Sequence, residues 1–320
     1  MSKFHILILV ILAALAYSAY HNRDGRTEPP RQVVATLPPI HSLLAGVMKG
    51  VEDPVLLLDG PESPHSVNLT PSDISQLKQA GMVVVTGLNA ESYLKPVLEA
   101  LGEDKPLVIE TLNIPGLTLF PMVEGEGHAK KNTTPEPDMH IWLDPLNAVA
   151  MTQYFAQELS EHMPDHASTF RDNAKDQIRK LNALNKSIQD QFTKYGTPRT
   201  AAYVTYHPFM QYYEKRYAIA ANKPTAKTPD AGVKPSEAER VHQLAKEHKL
   251  SCLLTEPQFS PRMLETVSED YNIPIKQVDP LGTTLTDGDT LYFTLMEKLT
   301  ETVLGCLAYL PPQDAKKVAP

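Results

Sequence analysis

The run TPSDISQLKQAGMVVVTGLNAESYLKPVLEALGEDKPLVIE, residues 70–110, decides the fold. It opens with a helix signal, because Thr70 can cap a helix and Pro71 suits the first helical position. An apolar strand from Met82 to Thr86 follows, and after a second helix comes another strand from Leu107 to Glu110. Strands that alternate with helices are typical of βαβ units and predict a parallel sheet.

The same alternation extends in both directions along the chain. Upstream, a helix from His41 to Val51 is predicted between two short strands, and downstream the pattern resumes from Ala201 onward. Between the two regions, no Gly or Pro interrupts Asp165 to Tyr195, where apolar residues recur at steps of three and four. The sequence therefore predicts an α/β protein with two similar lobes, each a parallel sheet flanked by helices, bridged by one long helix.

The amino terminus resembles a secretory signal. Lys3 precedes an apolar run from Phe4 to Ala16 that ends in small residues, and this run is shorter than the roughly 20 residues that span a bilayer. The predicted organisation is a signal at residues 1–19, a polar linker at 20–32, an N-terminal α/β lobe at 33–150, a connector including the long helix at 151–197, a C-terminal α/β lobe at 198–310 and a tail at 311–320.

Composition and cysteine content narrow the class of protein. The chain is 42% hydrophobic and carries a net charge of -8, which argues against a nucleic-acid partner that needs a basic face. Only two cysteines occur, Cys252 and Cys306. Behind a secretory signal, an even pair is more often a disulfide than two free thiols, so we predict that they are bonded.

Three histidines lie where strand-like runs give way to turns. His65 follows the strand that ends at Leu58, His140 lies on the segment that leaves the first lobe, and His207 directly follows a strand. In open parallel sheets, ligands bind beyond the carboxyl ends of the strands. Three neutral imidazoles suit a borderline-soft cation such as zinc. We therefore predict a metal site in the cleft between the lobes.

Two carboxylates also follow predicted strands. Asp279 is the first candidate for a fourth metal ligand, because it ends a strand and precedes the turn at Gly282. Glu256 is the second candidate, although it could instead orient another ligand or serve a structural role. Asp279 has its own alternative, which is to stabilise the turn before Pro280. Asp144, followed by a proline, is explained as a helix cap.

Several spaced motifs together resemble a known family, the zinc-binding, ZnuA-like periplasmic components of bacterial ABC importers. The resemblance covers Val33 to about Tyr309. It is carried, in order, by Pro64-His65 with Leu69-Thr70-Pro71-Ser72-Asp73, Met139-His140-Ile141-Trp142-Leu143-Asp144-Pro145, His207 with Tyr212-Tyr213-Glu214, Glu256-Pro257-Gln258, and Asp279-Pro280-Leu281-Gly282.

The resemblance implies a function and a site. It implies two α/β lobes bridged by a long helix, Zn²⁺ bound between them by His65, His140 and His207, and a disulfide between Cys252 and Cys306. Such a protein is not an enzyme: it captures zinc in the periplasm and passes the ion to an ABC permease in the inner membrane with its cytoplasmic ATPase. We expect it to act as a monomer.

Two features depart from the family pattern. Members often carry a long His-rich loop between the first two ligands, whereas here the loop from Pro121 to Asp138, predicted to be exposed and mobile, contains only His128. Some members place an acidic residue before the first histidine, where this chain has Pro64. Asp279 or a water molecule must then fill the fourth position.

Three other functions remain open at this point. A manganese- or iron-binding component of a related importer is one, although manganese prefers oxygen ligands and three histidines favour zinc. A zinc hydrolase is another, because three histidines and an open position can activate water, but the sequence has no HExxH helix or nucleophile elbow. A metal-dependent adhesin is the weakest alternative.

Overall fold

The structure is a computed structural model. This structure describes residues 32–60, 62–65, 67–122, 136–194, 199–200, 202–220, 222, 224–225 and 233–307. The predicted secretory signal, nearly all of the polar linker, the tail at 311–320 and His128 lie outside these residues. In the described part of the chain, no helix combines the length and the apolar character needed to cross a membrane.

The N-terminal lobe is built on a four-stranded parallel sheet with the order β2-β1-β3-β4. Every residue of β3 is buried, as expected for a strand covered on both faces by helices. The strands are β1 (Gln32–Ala35), β2 (Val55–Leu56), β3 (Ala80–Val85) and β4 (Leu107–Glu110), and the helices are α1 (Pro38–Met48), α2 (Pro71–Gln79) and α3 (Lys95–Ala100).

Helix starts in this lobe follow local chemistry. Thr70 caps α2 as predicted: its hydroxyl accepts the Asp73 N–H, and the Asp73 carboxylate accepts the Thr70 N–H. The first helix was predicted from His41 to Val51 but begins earlier, at Pro38. Proline suits the first turn of a helix because it lacks a backbone N–H, and an N–H at that position would have no intrahelical acceptor.

The connector consists of two antiparallel helices, α4 (Pro145–His162) and α5 (Ala167–Thr193). The 27-residue α5 is the predicted long helix, and it packs on α4 and on α1. Most of its apolar stripe is buried as the periodicity indicated, at Phe170, Ala174, Leu181, Leu184, Ile188 and Phe192, and Ile178 in the same stripe is half-buried.

The C-terminal lobe has a three-stranded parallel sheet with the order β6-β8-β9, and β5 pairs with β7 beside it. The bond between Cys252 and Cys306 joins β8 to the closing helix α9, as predicted. The strands are β5 (Arg199–Thr200), β6 (Tyr203–Thr205), β7 (Ile219–Ala220), β8 (Cys252–Thr255) and β9 (Ile275–Gln277), and the helices are α6 (Gln211–Arg216), α7 (Pro235–Lys246), α8 (Arg262–Tyr271) and α9 (Leu291–Leu307).

Buried hydrogen bonds join the two lobes beneath the cleft. The hydroxyl of Tyr292 on α9 donates to the Trp142 carbonyl at 2.7 Å, and the Trp142 indole donates to the Pro280 carbonyl at 2.8 Å. Asp144 caps α4 as predicted and also pairs with Arg216 of the other lobe. Both lobes contribute to one continuous apolar core, which fixes the two sheet edges relative to each other.

Candidate metal centre

The structure brings the three predicted histidines together. One ring nitrogen from each of His65, His140 and His207 lies within 4.8 Å of the others, and this is the cluster with metal-ligating potential among the described residues. The ring centroids of His140 and His207 are 5.3 Å apart, and His65 lies 5.7 Å from each. Side chains separated by up to 142 positions in the sequence therefore meet at one point.

Each histidine reaches this point from a different element. His207 comes two residues after β6, at the carboxyl end of that strand. His140 lies immediately before a single turn of 3₁₀ helix, Ile141–Leu143, whose residues are fully buried. His65 lies in a turn of the segment that follows β2. The cluster therefore forms between the two lobes, at the edge where parallel strands end.

Carboxylates hold two of the three rings. The Nδ1 of His140 lies 2.7 Å from Oδ1 of Asp138, and the Nδ1 of His207 lies 2.9 Å from Oε1 of Glu256. A carboxylate that accepts from Nδ1–H fixes the tautomer in which Nε2 is unprotonated and free to bind a metal. Both rings are therefore oriented as metal-ligating histidines are.

The spacing of the free nitrogens fits a tetrahedral zinc ion. The Nε2 atoms of His140 and His207 are 3.4 Å apart. Two nitrogens bound to tetrahedral zinc at about 2.0–2.1 Å lie about 3.3–3.4 Å from each other. These two imidazoles need almost no movement to share one ion.

Burial makes the imidazoles suitable ligands. It lowers the pKa of His65 well below the ordinary value, and the neighbouring His140 and His207 lower that pKa further. Burial likewise lowers the pKa of His207. It raises the pKa of Glu256 well above the ordinary range, although the backbone N–H of His207 acts in the opposite direction. Neutral imidazoles are the form that binds metal, and a bound cation would favour the charged form of the carboxylate.

His65 is held less firmly than the other two. The residue as a whole is only partly buried, whereas its Nε2 atom is buried and has no hydrogen-bond partner among the described residues. Its backbone N–H donates weakly to Ser63 Oγ at 3.4 Å. Over the described residues, no carboxylate is hydrogen-bonded to this ring. An unpaired buried nitrogen is costly unless something binds it, and a metal ion would do so.

The structure does not bring Asp279 into the cluster. Its carboxylate accepts from the backbone N–H groups of Leu281, Gly282 and Thr284 and from the hydroxyls of Thr283 and Thr284. Both oxygens are thus committed to the turn that follows β9. In this arrangement Asp279 has the turn-stabilising role that the sequence left as its alternative, and Glu256 orients a histidine.

Asp138 is the site residue that the sequence reasoning missed. It is fully buried and accepts from both the backbone N–H and the ring of His140. Its signal in the sequence is an acidic residue two positions before a candidate ligand. That spacing allows a carboxylate to reach back to the ring, whereas composition marks Asp138 only as the end of a polar loop.

The space at the cluster is small. The cavity lined by the three histidines has a volume of about 10 Å³, on the order of one water molecule. Glu256, Gln258 and Phe259 line it from the C-terminal lobe, with Phe259 edge-on to His207 at 5.3 Å between centroids. The space between the histidines is therefore on the scale of a single ion or water molecule.

Comparisons with known proteins point to one family. The family model for the zinc-uptake complex component A, periplasmic (ZnuA), matches residues 33–306. The high-affinity zinc uptake system protein ZnuA of Brucella suis biovar 1 is 27% identical over 309 residues, which cover 86% of this chain and 91% of that protein.

Solved structures show the same fold. A crystal structure of ZnuA superposes with a TM-score of 0.74 at 20% identity, covering 86% of this chain and 98% of the other. The laminin-binding protein Lmb of Streptococcus agalactiae, described as having adhesin and metal-transporting activity, superposes with a TM-score of 0.70 at 19% identity, covering 85% and 99%. At these identities the likeness is one of fold.

Proposed function

The chain belongs to the family of ZnuA, the periplasmic component A of a zinc-uptake complex, and on that premise we propose that it captures Zn²⁺ in the periplasm for uptake by an ABC-type permease. One observation carries the proposal. Two buried imidazoles, each held at Nδ1 by a carboxylate, point their Nε2 atoms at one position from opposite lobes, and a third imidazole lies beside them.

The proposed ligands are His65, His140 and His207. Three neutral nitrogens leave one position of a tetrahedral ion open. A water molecule fills it most easily, because Asp279 would have to give up hydrogen bonds to three backbone N–H groups to reach the ion. Direct ligation by Asp279 remains the alternative, and a substitution at that position separates the two.

The donor set favours zinc over manganese. Imidazole nitrogen suits zinc, whereas manganese prefers several carboxylate, carbonyl or water oxygens. The two nearby carboxylates, Asp138 and Glu256, are engaged with ring nitrogens and so act on the histidines. Their charges nevertheless lie close to the ion and stabilise it in a site with little solvent.

The partners we propose are the inner-membrane permease and its cytoplasmic ATPase, with the protein acting as a monomer. The family is one of solute-binding components, not of enzymes. Residues 1–19 would direct the chain across the inner membrane.

Metal titration of the purified protein tests this function. Elemental analysis should find one zinc ion per chain, and competition with a chromophoric chelator should show zinc bound far more tightly than manganese. His162→Ala, at an exposed position on α4, serves as the control and should bind like the parent. A parent protein that binds no zinc, or binds manganese more tightly, would overturn the proposal.

A further inference from the structure

Gln258 carries a polar atom that the ligand set does not explain. The residue follows β8 and lines the cavity beside the three histidines. Its Oε1 is buried and has no hydrogen-bond partner. A buried amide oxygen without a partner costs roughly 1–3 kcal/mol and calls for a donor. His65 Nε2, also unpaired in this cavity, finds its partner in the metal, but an amide oxygen needs a proton.

The hydrogen bonds behind Gln258 fix which way its amide faces. The Thr283 hydroxyl donates its single proton to Asp279 Oδ2 at 3.3 Å. Thr283 Oγ1 can then only accept from Gln258, whose Nε2 lies 3.4 Å away. The NH₂ group therefore faces Thr283, and Oε1 is left for the cavity. Asp279 sets this orientation without touching the histidines.

We infer that Gln258 Oε1 accepts a hydrogen bond from a water molecule in the fourth position of the bound zinc ion, and so positions that water. This inference rests on the proposed function. A zinc-bound water is a strong donor, because the ion polarises its O–H bonds. Gln258 lines the same cavity as the three histidines, so its Oε1 and a ligand of the ion would face one shared space.

The inference gives Asp279 and Thr283 a role in metal binding at a distance. Asp279 holds Thr283, Thr283 holds the Gln258 amide, and the amide holds the water. Groups that orient metal ligands in this way typically contribute 10- to 100-fold to affinity. Gln258 is thus a positioning residue for the fourth ligand, which three histidines alone leave undetermined.

The test compares Gln258→Leu, Thr283→Val and Thr283→Ser with the parent. Zinc affinity is measured by chelator competition, and Co²⁺ is used as a spectroscopic probe of the coordination sphere. Gln258→Leu should lower zinc affinity by about tenfold or more and shift the visible Co²⁺ bands. Thr283→Val should shift the bands in the same sense, because the amide can then turn. Thr283→Ser keeps the hydroxyl and should restore the parent spectrum.

Urea unfolding of the metal-free proteins shows that each variant is folded before metal is added. An unchanged Co²⁺ spectrum in folded Gln258→Leu would overturn the inference whatever its affinity, because Oε1 would then bind only an ordinary cavity water. A Thr283→Ser spectrum that matches Thr283→Val would also contradict it. Failure of the proposed function is distinguishable, because the parent itself would then bind no zinc.

Discussion

The two halves of the metal centre are built differently. His140 and His207 are 3% exposed, are each held at Nδ1 by a buried carboxylate, and have Nε2 atoms already at a zinc-like separation. His65 lies on a turn after the edge strand β2, with one weak backbone hydrogen bond and an unpaired Nε2. His140 and His207 are already oriented for an ion, whereas His65 would be fixed in place only when the ion binds.

This difference separates two contributions to affinity. A ligand that is already oriented contributes nearly all of its bond strength, because little conformational freedom is lost on binding. A ligand on a loosely held turn contributes less, since ordering the turn costs free energy of about 1–2 kcal/mol per residue fixed. The buried pair should therefore dominate the affinity, and His65 should close the site.

Removing the histidines tests this comparison with the largest expected effect. His140→Ala or His207→Ala should weaken zinc binding by about a thousandfold, and His65→Ala by about ten- to a hundredfold, because losing His65 also removes the cost of fixing its turn. Chelator competition measures all three. Equal losses at the three positions would show that His65 is as well fixed as the pair, and parent-like affinity in any variant would exclude that residue as a ligand.

Replacing the carboxylates that contact the rings should reduce the zinc affinity that His140 and His207 contribute. Asp138→Asn and Glu256→Gln should each lower zinc affinity by about 10- to 100-fold, because an amide holds the ring less strongly and no longer places negative charge near the ion. Zinc titration of both variants, with His162→Ala as the control away from the site, measures the loss. Parent-like affinity in either variant would mean that packing alone orients that imidazole.

The substitution Asp279→Asn tests whether Asp279 is a direct ligand in the fourth coordination position. If Asp279 acts only through the turn and Gln258, zinc affinity should fall by less than about tenfold, below the loss for any histidine. Residual manganese binding, which depends more on oxygen ligands, should fall no further than zinc. A manganese loss that clearly exceeds the zinc loss, or a zinc loss equal to that of a histidine, would show instead that Asp279 is a direct ligand.

The smallest effect on zinc affinity is expected at Glu91, in the lobe that carries His65. This fully buried carboxyl accepts from the Thr86 N–H, and burial raises its pKa to about 7, although its hydrogen bonds lower it. Because the folded pKa exceeds the unfolded one, its stabilising contribution is complete below about pH 4.5 and is lost as the pH rises through about 7.

Glu91→Gln imitates the protonated form and should remove this dependence. A difference of about 2–3 pKa units corresponds to about 3 kcal/mol. The free energy of unfolding of the variant should therefore exceed that of the parent by a margin that grows from pH 5 to pH 8 and approaches this value. Urea unfolding across this range measures it, and zinc affinity should stay at the parent level. A stability difference that does not change with pH would mean that Glu91 is ionised at every pH tested.

Much of the fold could be predicted from the sequence, because local patterns determine it. The strand β4 lies at Leu107–Glu110, as predicted. The caps at Thr70 and Asp144 form as expected. Each of these features depends on neighbours within a few positions, where periodicity and capping chemistry can be read directly.

The sequence could predict that the three histidines meet, but it could not predict which carboxylates contact their rings. The three histidines stand out because each follows a strand, and a parallel sheet places such residues on one edge. The carboxylate on His207 comes from Glu256, 49 positions away, and no local pattern specifies that pair. Asp279 also ends a strand, yet its oxygens turn toward the backbone of the next five residues.

The sequence by itself thus determined the alternation of strands and helices, the long connector, the residues available to bind a metal and the cysteine pair. Only the tertiary structure shows which carboxylate contacts which ring, that the Asp279 oxygens accept hydrogen bonds from the turn after β9, and that Gln258 keeps an unpaired oxygen in the cavity. The physical reason is that a hydrogen bond depends on the orientation of the side chain. A sequence pattern places a side chain on an edge, but the hydrogen bond it makes depends on the few atoms that packing brings within about 3 Å.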